Sequence, residues 1–220
     1  MRFKTTNPLF IFNKYIITLV LMLNSHFATG AEFCDEVKSY IANIQSIAVE
    51  FTQSDYSNNL AHGMLVIDKT YKFRCNYYEP FPIVIIGNKN YVSVYDYEME
   101  NLSRIKASEN IFNFLLVDNI DFDKHFELLS SQKLADKYIV KLKHLDSGKL
   151  SEISFDRQSK QIQMMKIFEE NNTITLAFGP TQKIQNPARS LFMMQDPDIF
   201  GKPERLNKSQ LLKKFSAKPL

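Results

Sequence analysis

The stretch "KFRCNYYEPFPIVIIGNKNYVSVYDYE" (residues 72–98) combines seven aromatic rings with runs of β-branched residues. Each run has the length of a strand, and "EPFP" and "GNKN" separate the runs with residues typical of turns. The pattern predicts three consecutive strands, at residues 71–78, 82–87 and 91–96. The turns are too short for the crossover that parallel strands need, so the strands must pair antiparallel.

The strand pattern continues on both sides of this stretch. Apolar residues recur with a period of two before it, at residues 47–51 and 60–68, and directly after it, at 99–105. Five further strands are predicted nearer the C-terminus, at 126–130, 137–145, 150–155, 161–168 and 173–178. A sheet of about eleven short strands must either pack as a sandwich or curl into an open barrel with a hollow.

Two predicted helices interrupt the strands. Between Phe33 and Ile44 the apolar residues follow helical spacing, which predicts an amphipathic N-terminal helix. In the middle of the chain Ser108 is a suitable N-cap for a helix over "ENIFNFLL" that is apolar on all sides. Two helices cannot cover eleven strands. The mismatch predicts a concave face lined by rings and Met, partly covered by a helical lid and suited to a flexible apolar ligand.

The first 31 residues have the pattern of a secretory signal peptide. Basic residues precede a nine-residue apolar run, "YIITLVLML", and small residues follow it. We expect cleavage near Gly30 or Ala31; the alternative is an uncleaved anchor, although a spanning helix needs about 20 apolar residues. Residues 32–203 then form a single domain, and residues 204–220 form a basic, flexible tail.

The charge of the chain is divided between this tail and the rest of the protein. Residues 202–220 carry a net charge of +5, and residues 32–201 carry −5. A body without clustered Lys and Arg argues against a nucleic-acid partner. The basic tail either contacts anionic lipid or is solvated.

Cys34 and Cys75 are the only cysteines, and export would bring them to a compartment where disulfides persist. They either pair with each other or lie buried as two separate thiols. The sequence contains no nucleophile motif, metal-ligand cluster or phosphate-binding glycine pattern. We therefore expect no enzymatic activity, no metal site and no cofactor.

The serial order of several segments resembles the periplasmic carriers of outer-membrane lipoproteins, the LolA-like proteins. The matching segments are "VEFTQSDY", Gly63 with "MLVID", "YKFRCNYYEP", "IVIIGNKNYVSVYDYEMENLSRI", "ENIFNFLL", "LSEISFDRQSKQIQMMKIFEENNTITLAF" and "LFMMQDPDIFGKP". The resemblance implies a mainly β fold with helices (α+β). Its core would be an unclosed, strongly curved antiparallel β-barrel of about eleven strands, with an N-terminal helix and a central apolar helical lid.

The resemblance also implies a non-enzymatic periplasmic chaperone. Such a protein accepts acylated lipoproteins from an inner-membrane lipoprotein-release complex and delivers them to an outer-membrane lipoprotein receptor, and we expect it to be a monomer. Burial gains about 0.8 kcal/mol per CH₂, so acyl chains need a carrier in water. The alternatives are a carrier of another amphiphile, such as a fatty acid or a glycolipid, and a protein-binding sensor module whose hollow its own side chains fill.

Candidate acyl-binding residues come from the lid and from the strands. The lid residues, which either contact cargo or form a static plug, are Phe112, Phe114, Leu115 and Leu116. The strand residues, which either line the hollow or belong to the core on the opposite face, are Tyr77, Val84, Ile86, Tyr91, Val94 and Met165.

Two basic residues are candidates for gating the lid. Arg74 is charged among rings, and it either donates hydrogen bonds to a lid carbonyl or extends to water. Lys69 stands near a basic position of the family, although Thr70 occupies the place of the Pro that usually follows. Cys75 replaces the aromatic residue that is common after "FR" in the family.

Overall fold

The computed structural model describes residues 46–57, 59–68, 72–107, 122–145, 147–170, 172–185 and 187–216. The predicted signal peptide, the N-terminal helix, Cys34, Lys69 and the four lid residues lie outside these ranges. Within them, no helix has the length and apolar character that a membrane-spanning helix needs.

The described residues form a mainly β structure with a few short helices. The strands of the first half are β1 (Ile47–Ser54), β2 (Leu60–Asp68), β3 (Lys72–Tyr77), β4 (Ile83–Gly87), β5 (Tyr91–Asp96) and β6 (Asn101–Lys106). Those of the second half are β7 (Phe126–Lys133), β8 (Lys137–His144), β9 (Leu150–Asp156), β10 (Ile162–Glu169), β11 (Asn172–Phe178) and β12 (Gln182–Lys183). The helices are α1 (Phe122–His125), a 3₁₀ helix (Arg189–Phe192), α2 (Pro197–Phe200) and α3 (Lys208–Ser216).

All neighbouring strands pair antiparallel in one sheet, in the order β6-β5-β4-β3-β2-β1-β11-β10-β9-β8-β7. The short strand β12 also pairs antiparallel with β1, on the same side as β11 but nearer the start of β1. The order begins at β6 and ends at β7, so the sheet that the described residues form is unclosed. The predicted unclosed antiparallel sheet of about eleven short strands is confirmed.

Aspartates close several of the turns. The Asp55 carboxylate accepts hydrogen bonds from the backbone N–H groups of Ser57 and Asn59, at 2.8 and 2.9 Å, and from the Asn59 side chain. In the turn between β9 and β10, the Asp156 carboxylate accepts hydrogen bonds from the backbone N–H and the hydroxyl of Ser159. These hydrogen bonds favour the charged form and hold the pKa of both carboxyls below their ordinary value.

Successive side chains point to opposite faces of the sheet, and both faces are apolar. The face that we call the cavity face carries buried side chains from both halves of the sheet: Val49, Phe51, Leu65, Ile67, Phe73, Cys75, Val92, Phe126, Tyr138, Val140, Leu142, Ile153, Phe155, Met165, Ile167 and Leu176. The opposite face, which we call the strap face, carries Ala48, Met64, Val66, Val84, Ile86 and Tyr95.

The strap face is covered by the C-terminal strap, defined as residues 189–216. Leu191, Phe192, Leu206 and Leu211 of the strap pack on the apolar side chains of β1–β5. β2 and β3 are therefore buried on both faces, whereas β8, which the strap does not cover, alternates between buried and half-buried residues.

The sequence predicted a flexible tail from residue 204, but residues 204–216 instead belong to the strap. Leu206 and Leu211 are only 3% and 0% exposed. Three strap cations pair with acids of the sheet: Lys202 with Glu100, Arg205 with Glu79, and Lys208 with Glu50. The basic C-terminal segment and the acidic body therefore form ion pairs with each other. The buried leucines supply most of the free energy that holds the strap on the sheet, because each exposed ion pair stabilises by about 1 kcal/mol or less.

Candidate functional site

A cavity of about 60 Å³ lies on the cavity face near the centre of the sheet. Its walls come from β1, β2, β3, β4 and β11, strands that are neighbours in the sheet although β11 is far from the others in sequence. The lining residues are Phe51, Leu65, Phe73, Cys75, Tyr77, Ile85, Leu176 and Phe178.

Phe51, which begins the Phe-x-Gln motif of β1 (residues 51–53), forms one wall of this cavity together with Tyr77. The Phe51 and Tyr77 rings meet edge to face, with centroids 5.1 Å apart. Tyr77 Oη donates a hydrogen bond of 2.8 Å to Gln53 Oε1. Gly63 lies between Phe51 and Tyr77 in the sheet register, and a Cβ there would approach Phe51 Cζ to 2.5 Å. The motif, the glycine and the tyrosine thus form one structural unit.

A second ring uses a glycine in the same way. Phe73 of β3 pairs with Gly87 of β4, and a Cβ at Gly87 would approach Phe73 Cε1 to 2.1 Å. The glycine lets the Phe73 ring lie across β4 beside the cavity. Both ring positions therefore depend on a missing side chain in the neighbouring strand.

The cavity is almost free of polar atoms. Of its lining side chains, only Cys75 and Tyr77 carry one, and the tyrosine hydroxyl is already hydrogen-bonded to Gln53. Burial raises the pKa of the Cys75 thiol and of the Tyr77 hydroxyl well above their ordinary values, so both groups are neutral. A cavity of this kind offers dispersion contacts to an apolar chain and no charge to bind a polar head group.

Three of the predicted strand residues lie on the cavity face. Tyr77 lines the cavity itself. Met165 is buried in the apolar cluster of this face and pairs with Leu176, which lines the cavity. Val94 shares the face with Val92 by strand alternation and pairs with Ile85.

The other three predicted strand residues lie on the strap face. Val84 and Ile86 are buried in the apolar cluster beneath the strap. Tyr91 follows the same alternation as Tyr95 and is about half exposed at the start of β5. These three side chains therefore point away from the cavity, because in β4 and β5 they alternate with the residues that face it.

Arg74 also belongs to the strap face, and its guanidinium binds the strap. Its guanidinium donates to the carbonyl oxygens of Leu191 and Glu204, at 3.1 and 3.2 Å, and to Asn76 Oδ1 at 2.6 Å. Asn76 in turn donates to the Leu206 carbonyl oxygen. Burial lowers the pKa of Arg74 from its ordinary value, and these acceptors satisfy the donors of the buried guanidinium.

Cys75 is a free thiol buried on the cavity face. Of the two alternatives that the sequence left open for Cys75, the structure shows the separate buried thiol. An aromatic side chain at this position would occupy part of the cavity, whereas Cys75 leaves that space open.

Several lining residues were not predicted: Phe51, Leu65, Phe73, Ile85, Leu176 and Phe178. The signal was present for two of them, since Phe73 and Tyr77 share a face by alternation and Phe51 belongs to the quoted Phe-x-Gln motif. Leu176 and Phe178 give no such signal, because only the pairing of β11 with β1 brings them to this point.

A wider groove of about 670 Å³ lies between the ends of β1 and β3 and the strap. Its walls are polar and charged, and ion pairs cross it from Glu50 to Lys208 and from Glu79 to Arg205. Burial, with a smaller contribution from Glu50, raises the pKa of Tyr78 in its wall to about 12. This groove suits an acyl chain less well than the apolar cavity does.

Comparisons with known proteins identify the family of the chain. The family model "Outer membrane lipoprotein carrier protein LolA" matches residues 42–195. An uncharacterised protein of Rickettsia prowazekii (strain Madrid E) is 46% identical over 200 residues, which cover 91% of this chain and 94% of the relative. The outer-membrane lipoprotein carrier protein of Dechloromonas aromatica (strain RCB) is 26% identical over 102 residues, 43% of this chain and 49% of that protein.

Among solved structures, a LolA superfamily protein from Nitrosomonas europaea matches with a TM-score of 0.44 and 9% identity, over 73% of this chain and 97% of the other. The family assignment rests on the family model, which matches most of the chain. The chain belongs to the LolA family of outer-membrane lipoprotein carrier proteins.

Proposed function

We propose that this protein is a periplasmic chaperone that binds the acyl chains of lipoproteins. It accepts them from an inner-membrane release complex and delivers them, as a monomer, to an outer-membrane receptor. Family membership supports the carrier role. The observation that carries the proposal is the cavity, whose walls are apolar and whose one hydroxyl is already hydrogen-bonded.

Acyl binding on this face requires the cavity rings to move. At about 0.8 kcal/mol per CH₂, an acyl chain of about sixteen carbons gains about 13 kcal/mol on leaving water. The cavity of about 60 Å³ is smaller than the about 150 Å³ that accommodates benzene in an engineered protein core. The rings of Phe51, Phe73 and Phe178 must therefore swing aside, and the cost of moving them weakens binding enough for cargo to leave.

The small volume also supports a second candidate. A cavity filled by its own rings is what a protein-binding sensor module would contain, and such a module has no need for lipid. A carrier of free fatty acid or glycolipid is a third possibility within the carrier class. The three functions differ in what the purified protein holds.

Native mass spectrometry of protein purified from the periplasm distinguishes these functions. We expect a triacylated peptide or lipoprotein bound to a single copy of the chain. Free fatty acid or glycolipid as the only adduct would contradict lipoprotein carriage. A protein that carries no adduct and takes up no acylated peptide would support the sensor module.

A matched pair of variants tests whether the cavity is the binding site. Ile85→Phe adds volume inside the cavity, whereas Ile184→Phe makes the same change in the apolar cluster of the strap face. We expect Ile85→Phe to lower the affinity for a triacylated peptide at least tenfold and Ile184→Phe to leave it unchanged. Equal affinities in both variants would move the site away from this cavity.

Depletion in cells tests the biological role. If the protein delivers lipoproteins, its depletion makes them accumulate at the inner membrane, which membrane fractionation detects. Rescue by the Ile184→Phe variant but not by Ile85→Phe would connect the phenotype to the cavity. Normal localisation of lipoproteins after depletion would contradict the proposal.

A further inference from the structure

Three of the most exposed large apolar side chains lie in two turns at one corner of the molecule. Met99, in the turn between β5 and β6, is 75% exposed, and Ile199 and Phe200, in α2, are 73% and 64% exposed. Single exposed apolar residues are common on protein surfaces, but a group of them marks an interaction site. We call this group, with the acids described below, the acidic corner.

Contacts between the β5–β6 turn and the strap bring the two turns together. Lys202, two residues after Phe200, pairs with Glu100, which directly follows Met99. Tyr97 Oη in the same turn donates a 3.2 Å hydrogen bond to the Glu204 carbonyl oxygen. The exposed side chains of the turn and of α2 therefore belong to one surface.

Acidic residues surround these apolar side chains. Residues 96–100 and 196–200 contain five carboxylates and no Lys or Arg: Asp96, Glu98, Glu100, Asp196 and Asp198. Asp96 Oδ1 accepts from the Met99 backbone N–H at 3.0 Å, and Asp196 Oδ1 accepts from the Asp198 backbone N–H at 3.0 Å. These two acids therefore also stabilise the backbone conformation of the segments that carry the apolar side chains. Lys202 pairs with only one of the five carboxylates.

We propose that the acidic corner is a docking surface for a protein that presents basic side chains around an apolar pocket. An apolar centre within a charged rim is the usual arrangement of a protein interface, and complementary charge speeds encounter and selects the partner. An anionic membrane surface would repel the negative rim, so the corner is less suited to bind a membrane. The corner shares no residue with the cavity lining, so docking leaves the cavity free for cargo.

A synthetic amphipathic helical peptide tests this chemistry directly. The probe has Arg on both sides of a Leu and Phe stripe, and a second peptide of the same composition has Glu in place of Arg. Isothermal titration with the full mature chain should detect the Arg peptide and not the Glu peptide. Raising NaCl from about 50 to about 300 mM should weaken binding, because salt screens exposed charges.

Substitutions locate the binding surface. We expect Glu98→Lys with Asp198→Lys to weaken the Arg peptide at least tenfold, and Ile199→Ser with Phe200→Ser to do the same. Matched controls lie elsewhere on the surface: Tyr56→Ser removes another highly exposed apolar side chain, and Glu170→Lys reverses another exposed acid. Both controls should bind as the unchanged protein does.

Four results would overturn the proposal. Equal binding of the Glu peptide, or unchanged binding by the corner variants, would remove the role of the acids. Retention of the protein on phosphatidylglycerol vesicles through Ile199 and Phe200 would assign the corner to a membrane. Dimers in sedimentation velocity that the corner variants abolish would assign it to a second copy of the chain. Triacylated-peptide affinity, measured on the same variants, should stay unchanged, which separates this test from that of the proposed function.

Discussion

Gly63 and Gly87 leave the space in which the rings of Phe51 and Phe73 lie across neighbouring strands. Each glycine pairs with the ring-bearing residue of the neighbouring strand. Because the glycine has no side chain, the ring can lie over the backbone at that position. The walls of the cavity are thus determined by two absent side chains as much as by the residues that are present.

Gly63→Ala tests this dependence. The new Cβ would lie 2.3 Å from the Asn76 carbonyl oxygen and 2.5 Å from Phe51 Cζ, so backbone and ring must both shift. We expect the free energy of unfolding, measured in urea, to fall by about 1–3 kcal/mol. Gly179→Ala is the control, because the nearest atom to its Cβ is the Glu50 carbonyl oxygen at 3.6 Å. Equal stabilities of the two variants would contradict the packing described here.

The buried thiol of Cys75 makes stability depend on alkaline pH. Its folded pKa is raised above the ordinary value of 9.0, so the unfolded chain loses the proton first as pH rises. The buried neutral thiol makes its full contribution to the free energy of unfolding below pH 9.0. Above pH 9.0 this contribution falls by about 1.4 kcal/mol per pH unit. Tyr77 and Tyr78 shift in the same direction from 10.0.

Cys75→Val isolates the contribution of the thiol. Between pH 7 and pH 10 the unchanged protein should lose about 1.4 kcal/mol more unfolding free energy than the variant, because burial, the largest cause of the tyrosine shifts, acts in both proteins. Urea unfolding at the two pH values measures the difference. Parallel losses in both proteins would mean that Cys75 is not protected from solvent in the folded state.

At the scale of elements, the strap determines which strands have two buried faces. Arg74 and Asn76 alternate with Phe73, Cys75 and Tyr77 along β3, a pattern that indicates one apolar and one solvated face. Both polar residues are nevertheless buried, because strap carbonyl groups accept their hydrogen bonds. The strap thus replaces water as the partner of the polar side chains of β3.

Arg74→Met should release the strap. The substitution removes the donors that bind the buried Leu191 carbonyl group and the part-buried Glu204 carbonyl group, and we expect a loss of about 3 kcal/mol in unfolding free energy. The control is Arg157→Met, which also removes hydrogen bonds to two carbonyl groups, those of Leu134 and Ala135, but at an exposed turn. We expect the control to lose about 1 kcal/mol or less. Similar losses in both variants would argue against a strap anchored by Arg74.

At the scale of the whole molecule, binding of cargo and folding stability are coupled. If the cavity takes acyl chains, a triacylated peptide at 100 times its dissociation constant should raise the free energy of unfolding by about 2.7 kcal/mol. Thermal or urea unfolding with and without the peptide measures this gain. The same peptide without acyl chains should produce no change, and stabilisation by both peptides would indicate a site that does not depend on the acyl chains.

Much of the architecture could be read from local patterns, whereas the site could be read only in part. The alternation around Tyr77 and the "EPFP" and "GNKN" turns predicted β3, β4 and β5 with small errors at their ends. Local patterns do not record which face of a strand meets which layer. Val84 and Ile86 were therefore predicted to line the hollow, although they lie beneath the strap.

The sequence by itself determined most of the strands, their turns and the antiparallel pairing of strands that follow one another in the chain, because each depends on residues close together in the chain. Only the tertiary structure decided which apolar face holds the cavity. That choice depends on partners such as Leu191 and Glu204, which are 117 and 130 residues from Arg74 in sequence. Both faces of β4 carry apolar, at least partly buried side chains, so hydrophobicity alone cannot tell them apart. The distinction comes from the strap, whose carbonyl groups and leucines occupy one face and leave the other to the rings of the cavity.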